Sequence, residues 1–113
     1  MKITFCNNKL KKYANNDILA ERKLGKREAE LFKQRLDDLT AAINLEDVRY
    51  LPGKYHELIG NRKGQWACNL VHPYRLIFEP LEDPIPRNED GQYLWIEIKG
   101  VQVIEIENYH KNK

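Results

Sequence analysis

KYHELIGNRKGQWACNLVHPYRLIFEP, residues 54–80, is the stretch that decides the fold. Apolar and polar positions alternate through most of it, the period of two expected of half-buried strands. Residues 55–59 read as a short strand. Gly60, Asn61, Arg62, Lys63 and Gly64 form a turn that displays two cations. Residues 65–71 alternate again, with Trp66, Cys68 and Leu70 on one face and Gln65, Ala67 and Asn69 on the other. His72-Pro73 makes the next turn, since the residue before a proline is pushed away from helix. A third strand follows, with Tyr74, Leu76 and Phe78 on one face and Arg75, Ile77 and Glu79 on the other. Arg75 admits two readings. It is either part of a solvated outer face or a guanidinium held on a rigid strand to grip a phosphate.

Outward from this block, residues 101–109 read as a final strand. Ile104, Ile106 and Asn108 fall on one face, and Val103, Glu105, Glu107 and Tyr109 on the other. Residues 1–6 form a weaker N-terminal strand. Asn7 or Asn8 can cap a helix that carries Leu10, Ala14 and Ile18 at helical spacing, with Tyr13 beside them. The Asn15-Asn16-Asp17 run interrupts it, and Asp17 can cap a second piece over 18–24. Gly25 suits the left-handed position that ends a helix. Residues 26–43 give the clearest helix, with Ala29, Phe32, Leu36, Leu39 and Ile43 as its apolar stripe. Leu45, Val48 and Leu51 fit one helical turn before Pro52-Gly53. Residues 81–92, with Pro84, Pro86 and Gly91, read as an irregular loop. Residues 93–99 are either strand or an irregular lead-in. The expected architecture is α+β, an N-terminal strand and helical hairpin packed on a small antiparallel sheet, in one domain over 1–113.

With 42% hydrophobic and 32% charged residues the composition is that of an ordinary globular protein. A formal net charge of +2 gives no global field to mark a nucleic-acid binder. Charge is unevenly spread, however. Residues 9–35 hold nine basic and four acidic side chains, whereas 82–90 hold four acidic residues and one arginine. The basic residues read either as a solvated helix face or as a patch that faces ribosomal RNA. Two cysteines, Cys6 and Cys68, are too few for a disulfide framework or a zinc site, and read as small buried thiols. No apolar run reaches the roughly 20 residues of a membrane helix and no signal segment is seen, so a cytoplasmic protein is expected.

There is no HExxH, no CxxC pair and no Gly-rich phosphate loop, and serine is absent, which removes serine-nucleophile schemes. No metal or cofactor is expected. His, Tyr, Arg and Lys remain, and metal-free RNA cleavage needs little more. A base takes the 2′-OH proton, an acid protonates the leaving 5′-oxygen, and cations stabilise the phosphorane-like charge. Histidine can serve in either proton transfer. Each candidate also has a plain structural reading. His56 can be a hydrogen-bonded strand residue, His72 a turn residue, and Tyr109 and His110 surface residues near a chain end.

Three motifs carry a resemblance. They are His56-Glu-Leu-Ile-Gly-Asn-Arg-Lys-Gly-Gln-Trp66, His72-Pro-Tyr-Arg-Leu-Ile-Phe-Glu-Pro80 and Glu105-Ile-Glu-Asn-Tyr-His110. In this order, behind a helical hairpin, they resemble the HigB-type toxins of the RelE/ParE superfamily over nearly the whole chain. The resemblance implies a toxin of a type II toxin–antitoxin pair. It further implies a metal-independent endoribonuclease that cuts messenger RNA in the ribosomal A site, neutralised by a HigA-like helix-turn-helix antitoxin in a hetero-oligomer. Matched residue by residue, His56, Tyr109 and His110 take the proton-transfer positions. Arg62, Lys63 and Arg75 take the phosphate-binding ones, with Asn108 in support.

Two positions depart from the family pattern. Asn108 stands where the family often has aspartate, and keeps hydrogen bonding but not charge. Ile59 stands where a lysine is frequent, and Lys63 is then the neighbouring cation that can replace it. Two other functions share the fold. One is a ParE-like inhibitor of DNA gyrase, which has no need of His56 or His110. The other is a catalytically degenerate module that only binds the antitoxin.

Overall fold

The computed structural model describes residues 1–108. Its sheet is built around the block that alternates in the sequence. Strand β3 (Trp66–Asn69) pairs antiparallel with β4 (Tyr74–Pro80), setting Trp66 against Phe78 and Cys68 against Leu76. β5 (Gly100–Asn108) pairs antiparallel with the other edge of β4. β1 (Lys2–Phe5) joins β5 in parallel, and β2 (His56–Glu57) closes the far side against β3. The five strands run in the order β1-β5-β4-β3-β2. The strand expected over 55–59 is thus only two residues long, because Gly60 starts a 3-10 turn over Gly60–Arg62.

The helices cover one face. α1 (Asn8–Asn15) is capped by Asn7, whose Oδ1 accepts from Leu10 N at 2.8 Å. α2 (Asp17–Leu24) is capped by Asn16 rather than Asp17, with Leu19 N donating to Asn16 Oδ1 at 3.0 Å. Asp17 instead pairs with Lys33 across the helices at 2.9 Å. Gly25 has φ +87° and lies between α2 and α3 (Lys26–Ala41), where a side chain would be strained. The sharp corner follows from that residue. Along α3, Ala29, Phe32, Leu36 and Leu39 are buried as the stripe predicts. Ile43 is not, since the helix ends at Ala41 and leaves it 74% exposed. Ile18 is likewise 71% exposed, because the break at Asn16 shifts it off the stripe of α1. The short helix α4 (Leu45–Val48) confirms the single turn expected there and buries both of its end residues.

Trp66, Cys68, Leu76 and Phe78 meet Phe32, Leu39, Leu45 and Val48 in the main core between sheet and helices. Trp95, from a 3-10 turn over Trp95–Glu97, packs edge-on against Trp66 at 5.5 Å between ring centroids. Residues 93–99 are therefore the irregular lead-in, and residues 81–92 are an irregular loop apart from an Arg87–Tyr93 bridge.

One correction concerns β5. Ile77 pairs with Glu105 but Phe78 pairs with Val103, so Ile104 is an extra residue in a β-bulge. The bulge resets the alternation. Val101 and Val103 lie in the helix-side core, as does Ile106 beyond the bulge, while Ile104 packs on the other face with Leu58, Ala67 and Ile77. Val103 does not share a face with Glu105 and Glu107, and Ile104 does not share one with Ile106. Uninterrupted alternation had grouped them so.

Candidate functional site

Strand pairing builds the site on the open face of the sheet. Residues directly opposite one another in a ladder point the same way. One row crosses His56, Ala67, Ile77 and Glu105, and the next crosses Asn69, Arg75 and Glu107. Leu58, Ala67 and Ile77 are buried and form an apolar floor on this face. The polar side chains gather beside it.

His56 is exposed on the edge strand. Its Nδ1 lies 2.6 Å from the carbonyl oxygen of Lys54. A carbonyl only accepts, so Nδ1 is the donor in this contact and Nε2 is left clear of it. The segment that delivers this histidine is unusual. Gly53 has φ +118° and Lys54, a non-glycine, has φ 54°. Left-handed backbone at a bulky residue is strained and is held by its surroundings. Those surroundings are visible: Arg35 Nε donates to Asn69 O at 2.7 Å, and its guanidinium fills the space beside Gly53 where a Cβ would stand. Tyr55 OH donates to Arg35 O at 3.2 Å.

Arg62 comes from the 3-10 turn and reaches the same face. Its Nη1 donates to Gln65 Oε1 at 2.8 Å, and its Nη2 lies 2.8 Å from Glu107 Oε2 and 3.3 Å from Glu105 Oε2. Arg75 Nη2 lies 3.0 Å from Glu107 Oε1. Glu107 therefore bridges the two guanidiniums, one oxygen to each. Both carboxylates escaped notice as site residues in the sequence, although a signal was present. Glu105 and Glu107 are two apart on a strand that pairs antiparallel with the strand bearing Arg75, and opposite charges face each other in such ladders. Two guanidiniums and two carboxylates balance within this cluster.

The other candidates are distributed as follows. Lys63 is not gathered with Arg62 and Arg75. Its Nζ sits 5.7 Å above the Tyr93 ring, where it lines a cleft of about 500 Å³ with Glu46, Arg49, Glu57 and Trp95. Ile59 is 86% exposed. Asn108 pairs with Tyr74, one step along from the Arg75–Glu107 pair, and so falls on the alternate side of the pleat. Tyr109 and His110 lie outside the described residues. Cys68 is no nucleophile here, because burial pushes its thiol up to about 12. Among the described residues, no group of three or more His, Cys, Asp or Glu could hold a metal ion. No helix among them is long and apolar enough to cross a membrane.

No protein-family model matches the chain, and no curated protein matches it. Solved structures do. The chain is similar to one in the YoeB-YefM complex from Staphylococcus aureus, with 15% sequence identity over 95% of this chain and 94% of that one, and a TM-score of 0.56. It is also similar to the YoeB/ParE toxin from Agrobacterium tumefaciens, at 14% identity over 96% and 98% of the two chains, with a TM-score of 0.47. At such identities the S. aureus likeness is one of fold, and it covers both chains almost end to end. The α+β fold implied by the sequence resemblance is the fold observed.

Proposed function

We propose that this chain is the toxin of a type II toxin–antitoxin pair and acts as a metal-independent, ribosome-dependent endoribonuclease. The observation that carries the reading is that His56, Arg62 and Arg75, from three separate segments, fall on one open sheet face, the two guanidiniums joined through Glu107. The fold shared with a chain of a YoeB-YefM complex supports the toxin–antitoxin part. Arg62 and Arg75 hold the scissile phosphate, for which the planar guanidinium fork is suited. His56, with Nε2 as its basic nitrogen, takes the 2′-OH proton. His110 protonates the leaving oxygen and Tyr109 contacts the base or assists; both follow β5 directly in sequence. A HigA-like antitoxin with a helix-turn-helix domain is the expected partner, and messenger RNA on the ribosome the substrate.

One observation favours a second reading. Both guanidiniums already bind carboxylates, as they would on a face that docks an antitoxin and has lost catalysis. Induced expression in a bacterial host separates the two, with primer extension on a reporter messenger RNA. The nuclease reading predicts growth arrest with new cuts inside translated codons, lost in His110→Ala and Arg75→Ala. Arrest without cuts points instead to a gyrase-type target, and soluble wild-type protein without arrest supports the binding module.

A further inference from the structure

The two carboxylates on β5 occupy different positions toward the same cations. The Glu107 side chain is 9% exposed and spends one oxygen on each guanidinium, at 3.0 Å to Arg75 and 2.8 Å to Arg62. Arg75 and Glu107 are also direct cross-strand partners, so backbone pairing fixes their approach. Glu105 is 43% exposed and, among the described residues, makes one longer contact of 3.3 Å, to the Nη2 atom that Glu107 already holds. Releasing Glu107 would strand a charge in a nearly closed site, whereas Glu105 can swing into water. A carboxylate and a phosphate offer a guanidinium the same pair of acceptor oxygens.

From this asymmetry we infer that Glu107 is a positioning residue and Glu105 an anionic plug. Glu107 holds Arg62 and Arg75 as a pair facing one anion position. Glu105 occupies that position on the Arg62 side until a phosphate of single-stranded RNA displaces it. The inference rests on the RNA reading above and adds to it a built-in competitor at the phosphate site.

The alternative is simple electrostatics. Each carboxylate lowers the positive charge of the face, so removing either would tighten RNA by a similar factor. Matched substitutions separate the two, since E105Q and E107Q delete the same charge from the same strand. Binding of a short, fluorescently labelled, 2′-O-methylated single-stranded RNA to the full chain is read by anisotropy; the methyl groups prevent cleavage. E105Q should tighten binding by about two- to fivefold, the range of an exposed ion pair. E107Q should weaken it by roughly tenfold or more, as expected when one partner of a buried, hydrogen-bonded charge pair is removed. Equal tightening in both variants overturns the inference, as does the absence of RNA binding by any of the three proteins.

Circular dichroism reports whether E107Q folds. Where it does not, E105Q is compared in wild-type and R62Q backgrounds. Its effect should vanish without Arg62, and an effect of unchanged size overturns the plug. Cleavage on programmed ribosomes is read separately. Opposite shifts in binding without any cutting would sink the nuclease reading and leave this arrangement standing.

Discussion

Val71 N donates to Glu28 Oε1 at 3.0 Å, tying the turn before β4 to α3 through a glutamate that is only 8% exposed as a residue. Burial raises the Glu28 pKa above its ordinary 4.5, against a smaller lowering by that backbone hydrogen bond. The sign follows from linkage. The folded state binds the proton more tightly than the unfolded chain, so this contribution to stability is full below pH 4.5 and is lost as pH rises through the folded value. Glu28→Gln keeps an acceptor oxygen and carries no charge. Its melting temperature should exceed that of the wild type near pH 7, and the gap should close toward pH 4.5; a gap independent of pH would contradict the assignment. The two thiols make a second residue-scale test. Cys6 is exposed and Cys68 buried, so a thiol reagent should label one cysteine in the native protein and the second only after unfolding. Rapid native labelling of both would show that the β3 core opens readily.

At the scale of elements, the helix starts are set by asparagine caps. Asn16→Ala removes the acceptor for Leu19 N and should cost about 1 kcal/mol in a denaturant titration. An equal loss from Asp17→Ala would be unexpected, since Asp17 contributes only an exposed, solvent-screened ion pair. The comparison also shows what local sequence can convey. The stripe of α3, the left-handed corner at Gly25 and the alternation of β3 and β4 were legible because each depends on neighbouring residues alone. The bulge at Ile104 was not. It arises from the fit between β4 and β5, where Val101, Val103 and Ile106 all serve the helix-side core. A strict period of two cannot satisfy that requirement. The end of α3 escaped for a related reason. Ile43 continues the helical stripe in sequence, but the chain turns at Ala42 so that Leu45 and Val48 can reach the core.

Over the whole molecule, the helices and the main core take one face of the sheet, and the other carries a small apolar floor ringed by charge. That division was legible in outline, since Arg75 alternates with Leu76 and Phe78. That His56, Arg62 and Arg75 share this face was only implied, because it depends on strand order and on a turn. Glu107 as the bridge, and Lys63 turned toward Tyr93, needed side-chain geometry that no single strand pattern contains. RNA cleavage by this face is the proposed activity. It is tested most directly with purified protein on ribosomes programmed with a defined messenger RNA, comparing the wild type with His56→Ala and Arg75→Ala at matched folded concentration. The account predicts cuts within the A-site codon by the wild type, slowed by about 10²–10⁴-fold in His56→Ala, the range for loss of one acid–base group, and similarly impaired in Arg75→Ala. Wild-type protein that leaves the message intact, where a RelE-type toxin cuts it, would contradict the account.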